Sequence, residues 1–343
     1  MRKIFHAAIA LLLVMGFWGC NDKKEQQREK EVQAAKEFPI HRFEQILFTA
    51  PQKGFKDSLL VSYEDYKYMY NTDLNDEAYL SVVYRFSHDS TMRETYRRVM
   101  KRYPDLGWLS LALQKGFDTL THYYSQLRVP KVYSLIVGPN DFAAAYANRV
   151  VTSSDYLAFS IDLYAINKLS DLPYYDYYPR YMQTVLDSLY LPPDILSTYI
   201  YQEIMPRQRQ DFFTAASFLD EIINRGKLLY AVQQCLPDYP EYSLLRYTPE
   251  QWEWCRKNEN SFWSYLLKNK MLYETDFSKY KTFIQEGGTT RGLEGSPARL
   301  GDYLGLKIVQ AYAERNKATL KKILETQDHT KLFTESNYKP KNH

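Results

Sequence analysis

The chain is poor in the residues that carry most recognisable chemistry. It has three cysteines in 343 residues. Cys20 sits directly behind an apolar leader, so Cys235 and Cys255 alone remain for the fold, too few for a structural zinc site. Beyond the leader the histidines are His41, His88, His122, His329 and His343, with no two at helical ligand spacing and no H-E-x-x-H. Metal-assisted hydrolysis therefore has no ligand set. Glycine is scarce at thirteen. No G-x-G-x-x-G or P-loop is present to cradle a nucleotide, and no G-x-S-x-G elbow to start a hydrolase triad. Charge is nearly balanced, 44 Lys and Arg against 41 Asp and Glu. No basic stripe interleaves with stacking aromatics, which excludes nucleic acid as the expected partner. These absences leave no cofactor and no catalytic residue to assign.

What is present begins with the leader. Arg2 and Lys3 precede an apolar run at 4–18, shorter than the roughly 20 residues that span a bilayer. A basic start, a short apolar stretch and a small residue describe an export signal. The run ends in Phe17-Trp18-Gly19-Cys20, followed by Asn21-Asp22-Lys23-Lys24, which looks like a bacterial lipobox with Cys20 as the acylated residue. The lipid membrane, reached through acylated Cys20, is the first expected partner. Residues 21–37 are charged, Gln-rich and free of aromatics, as in a solvated tether. The expected organisation is a signal peptide at 1–19, a lipidated tether at 20–37 and one globular domain at 38–340.

Tyrosine is the compositional outlier, with 32 in the chain and a cluster at 173–181. Tyr packs its ring and keeps a wet hydroxyl, so this cluster reads as a half-buried wall or a contact surface. Helical patterns occupy 56–70, 90–102, 108–127, 194–210, 215–234, 249–272, 278–285, 297–315 and 317–326. Between them, 129–137 is β-rich and closes on a Gly138-Pro139 turn, and 149–163 reads as a hairpin or two short strands. The fold class is thus α+β, predominantly helical, with a small mixed sheet surrounded by helices. The helix from 249 is the best marked: Thr248 caps it, Pro249 takes the first position and Gln251 completes a capping box. Trp252, Cys255, Glu259, Phe262 and Leu266 share one stripe, so Glu259 needs a partner; Arg299 is the expected one. Export permits a Cys235–Cys255 disulfide, but two separate buried thiols are expected. Six glycines fall within 287–305 around Arg291 and Arg299. Ser296 and Pro297 are positioned to open the next helix, and the loop before it suits a carboxylate or phosphate, or is simply mobile.

Several blocks resemble the gliding-motility lipoprotein GldB family. They are FLDEIINRGKLLY at 218–230, WCRKNENSFW at 254–263, LYETD at 272–276, SPARLGDYLGLKIVQAY at 296–312 and NYKPK at 337–341. The resemblance implies a non-catalytic lipoprotein of the cell envelope, in the outer membrane facing the periplasm, linked to gliding and type IX secretion. Its implied partners are other envelope proteins of that machinery. A second, fainter similarity is to the layout of zincin metallopeptidases. Gln202-Glu203-Ile204-Met205-Pro206 stands where a zincin carries H-E-x-x-H, and Asn224-Arg225-Gly226 where it carries its third ligand. Only the general-base carboxylate, Glu203, is kept, which implies a pseudoenzyme lacking the metal site. The alternative reading is a peptide-binding or metal-independent hydrolytic zincin-like protein. The candidate cleft residues are Glu203, Arg225, Arg291, Arg299 and Glu259, with a Glu203–Arg225 pair expected to replace the ion.

Overall fold

The structure, a computed structural model, describes residues 38–138, 149–168, 176, 178–205, 217–290, 292–293 and 295–340. The Cys20 lipobox and the tether lie outside these residues, as do Arg291 and Tyr174, Tyr175 and Tyr177 of the 173–181 tyrosine cluster. The chain is 63% helical with one small sheet, the α+β class expected from the pattern. Helices of seven residues or more are labelled α1 (Phe43–Thr49), α2 (Glu77–His88), α3 (Ser90–Arg102), α4 (Gly107–Tyr123), α5 (Leu191–Tyr199), α6 (Phe218–Cys235), α7 (Pro249–Lys268), α8 (Leu300–Asn316) and α9 (His329–Ser336). The strands are β1 (Ile40–Arg42), β2 (Lys131–Leu135), β3 (Val150–Thr152) and β4 (Tyr156–Ser160).

The sheet order is β1-β2-β4-β3. β1 and β4 flank β2 in parallel, with Ile40 opposite Val132 and Tyr133 opposite Ala158, while β3 returns antiparallel on β4. A parallel β1–β2 pair needs a long crossover, and α1 to α4 supply it. Val132, Tyr133 and Ser134 are all buried, as expected of a strand covered on both faces. Glu44 of α1 is fully buried beside β2, where it accepts from Arg42 Nε and Ser134 Oγ, each at 2.8 Å. Tyrosines stitch these layers by giving their hydroxyls to backbone carbonyls. Tyr103 bonds Tyr164 O, Tyr133 bonds Asp65 O, Tyr190 bonds Tyr247 O and Tyr199 bonds Arg128 O. All four of these tyrosines are buried and lie outside the 173–181 cluster.

The helical half is built on α6 and α8, whose backbones touch. A methyl added to Gly226 would overlap the Gly305 carbonyl, and one added to Gly305 would overlap the Ile222 carbonyl. Small residues here permit a crossing that larger ones would push apart. α7 begins with the anticipated capping box between Thr248 and Gln251, and buries Cys255, Glu259, Phe262, Trp263 and Leu266. Trp252, expected to face the core, is instead half-buried at a groove edge. Cys235 and Cys255 are separate buried thiols, as expected.

Three local expectations are corrected. The helix expected at 56–70 breaks into Phe55–Leu60, Tyr63–Tyr66 and a 3-10 turn at Lys67–Met69, where Tyr66 and Tyr68 pack on His41, Tyr133 and Tyr156 across three strands and Tyr133 donates to Asp65 O. The helix expected from 297 starts at Leu300, preceded by Arg299 in a left-handed conformation (φ 59°). Ser296 does not cap it; its hydroxyl donates to Leu293 O at 2.7 Å and closes the glycine-rich loop on itself.

Candidate functional site

Two ladders of alternating charge meet beneath a cleft lined by Tyr181, Tyr247, Gln251, Glu286, Arg246 and Arg299. The space it holds is about 30 Å³, room for little more than water. In the first ladder Asp194, in the opening turn of α5, accepts from Arg149 Nε at 2.9 Å and the Tyr164 hydroxyl at 2.6 Å. Arg246 Nε lies 3.7 Å from the same carboxylate, and its Nη1 reaches Glu286 at 3.2 Å. Burial pushes the Asp194 carboxyl up, but the two arginines outweigh it and hold it at about 2. Glu286 is likewise lowered: burial opposes its charge, while Arg246, Arg299 and Arg149 favour it.

In the second ladder Asp302, 1% exposed, takes Arg299 Nε and Nη2 at 2.7 Å on one oxygen and Arg225 Nη1 at 3.5 Å on the other. Asp302 also sits in the first turn of α8, where the helix dipole favours an anion. Arg299 spends its remaining Nη1 on the Leu245 carbonyl at 3.2 Å. Both cleft arginines have positive φ, 57° at Arg246 and 59° at Arg299. Left-handed backbone costs a side-chain-bearing residue about 1 kcal/mol or more, so packing and ion pairs hold these two against a local preference.

The expected residues divide between sites. Arg299 and Arg225 come together, but across Asp302. Arg225 does not meet Glu203: its ion pairs among the described residues are with Asp302 and with Glu221 at 3.8 Å. The cause is local geometry, since Glu203 lies within a π-helical turn at Ile200–Ile204 while Arg225 faces the start of α8. Glu259 is buried as anticipated, yet its partner is not Arg299, which is committed to Asp302. The hydroxyls of Tyr303 and Tyr338 donate to Glu259 at 2.5 and 2.7 Å. Those hydroxyls are held far above their ordinary pKa, by burial first and then by the Glu259 bond. This clasp closes one end of a second groove, where Lys307 lies over the Trp252 ring at 4.7 Å and pairs with Glu241 at 3.0 Å. Arg149, Asp194, Arg246, Glu286 and Asp302 were not anticipated. An acidic first turn after Pro192-Pro193 was the one available signal, for Asp194.

Comparison with known proteins supplies the decisive observation. The family model of gliding motility protein GldB matches residues 23–340. The chain belongs to the GldB family. That membership gives it a gliding-motility role and the status of a cell-envelope lipoprotein. No curated protein and no solved structure matches the chain. Among the described residues no helix is long and apolar enough to cross a membrane.

Proposed function

We propose that this GldB-family chain is a non-catalytic component of the envelope, held by acylated Cys20 in the outer membrane facing the periplasm. It supports gliding and type IX secretion by binding other envelope proteins. The observation that carries this reading is the pairing of its buried carboxylates within the fold. Asp194 is clasped by two arginines and a tyrosine, Asp302 by two arginines, and Glu259 by two tyrosines. A general base must have an open lone pair within reach of a substrate proton; both oxygens of Asp302 and of Glu259 and Oδ2 of Asp194 are instead turned to partners within the fold. Satisfied polar networks rigidify a structure, which suits a docking body. In the same reading the chain is a zincin-like pseudoenzyme, whose Gln202-Glu203-Ile204-Met205-Pro206 keeps a carboxylate without the histidines.

Complementation of a gliding host lacking the gene tests this. Glu203→Ala should restore gliding and secretion fully, whereas Cys20→Ser should release the protein from membranes and fail to restore either. Loss of function in Glu203→Ala at normal protein level would contradict the non-catalytic reading. Membrane retention of Cys20→Ser would contradict the anchor.

A further inference from the structure

The far end of α7 carries an apolar surface that the core does not absorb. Tyr265, Leu267, Tyr273 and Phe277 are 42%, 50%, 61% and 51% exposed, all within thirteen residues. Ring contacts join two of them into one rooted cluster. Phe277 packs on Tyr280, Tyr280 on buried Phe218, Phe218 on buried Phe283, and Phe283 on Tyr265, at centroid distances of 5.4 to 6.1 Å. Large side chains are thus held outward by a rigid base. The same segment is basic. Lys279 pairs with Glu274 at 2.8 Å, and Asp276 accepts from Ser278 N. Lys268, Lys270 and Lys281 make no ion pair among the described residues. Lys270 has positive φ (54°) just past the end of α7, a position that ordinarily favours glycine. A lysine there is a poor choice for the backbone alone.

From this arrangement we infer that the surface formed by Tyr265, Tyr273, Phe277 and the three lysines rests on an anionic lipid surface. Aromatic and aliphatic side chains rimmed by lysines are the chemistry of the membrane interface, and lysines near anionic headgroups add electrostatic attraction. The inference rests on the lipid-anchored reading of Cys20. A tether of residues 20–37 reaches at most about 60 Å at ~3.4 Å per residue, enough to let this face turn toward the bilayer. An anchored domain also meets the surface at high effective concentration, so a small patch with weak intrinsic affinity suffices.

The test uses the full lipidated chain in vesicles, with Tyr273→Cys carrying an environment-sensitive fluorophore. Cys235 and Cys255 are buried, which keeps labelling selective. Val61→Cys, at a position 89% exposed on another part of the molecule, is the control. In vesicles containing phosphatidylglycerol the label at 273 should shift to the blue and be quenched several-fold by nitroxide lipid, with the label at 61 unchanged. The contrast should shrink in pure phosphatidylcholine and in the Lys268→Glu/Lys270→Glu/Lys281→Glu variant. Lys270→Gly should weaken it without lowering the melting temperature, which separates lipid contact from folding. Equal wetness of the two labels in a chain that floats with the vesicles overturns the inference. So does burial of the 273 label in native envelopes alone, which would mark a protein partner. A chain that does not float overturns the anchor and the inference together.

Discussion

Asp194 and Asp162 are both buried, and Tyr164, two residues after Asp162, donates directly to Asp194. Their acidities diverge all the same. Asp162, at the end of β4, accepts from the backbone amides of Val137 and Gly138 at 3.3 and 2.9 Å. Burial pushes its pKa up to about 6, and those amides only moderate the rise. Asp194, also buried, faces Arg149 and Arg246 and falls to about 2. The difference teaches that two backbone amides do not offset burial at Asp162, whereas two guanidiniums do at Asp194; a single one does not suffice at Glu44, whose pKa burial still raises against Arg42.

The largest effect expected from breaking this contrast is at the arginine end. Asp194→Asn leaves Arg149 and Arg246 facing each other, and removing one partner of a buried pair costs about 3–5 kcal/mol. Denaturant unfolding at pH 7 measures it. The pH dependence follows. Asp194 has its pKa depressed by folding, so its contribution is present above pH ~4 and is lost as pH falls toward about 2. Asp162 is the reverse. Its pKa is raised, so the folded state binds the proton more tightly, and stability declines as pH rises from about 4 to about 6. Two pKa units correspond to about 3 kcal/mol; Asp162→Asn should remove that slope in unfolding measured across the same window.

The tyrosine-held Glu259 sharpens the comparison from the other side. Tyr338→Phe removes one hydroxyl from it, and a hydrogen bond to a charged group contributes about 1.5–3 kcal/mol. Tyr338 also edges the Trp263 ring at 5.4 Å, a contact Phe keeps, so the loss in unfolding free energy reports the hydroxyl. The smallest effect sets the scale for a bond without charge. Thr248→Ala deletes the cap on Gln251 N, and loss of such a cap costs about 1 kcal/mol, read as a lowered melting temperature.

Local features were legible in the sequence and partner choice was not. The α7 capping box, the span of α3, the 150–160 hairpin and the two free thiols all follow from short-range patterns that the structure repeats. β1 escaped notice because three residues carry too little alternation; it exists through pairing with β2 far along the chain. Glu259 was correctly read as a buried group needing a donor. That its donors are Tyr303 and Tyr338 depends on how α7, α8 and the C-terminal segment converge, which no spacing encodes. Arg299 looked available because Asp302, three residues on, was not recognised as its partner. Gly301 and Gly305 fall inside the helix expected at 297–315, but that Gly305 lets this helix touch α6 is not written in its spacing.

The central claim is that the buried carboxylates hold the fold and perform no chemistry. The direct test is to express Asp194→Asn, Asp302→Asn and Glu259→Gln in a gliding host and plot gliding speed against folded protein in the envelope. The account predicts one common curve, with each variant losing function only as far as it loses folded protein. A variant present at normal level that cannot glide would contradict it.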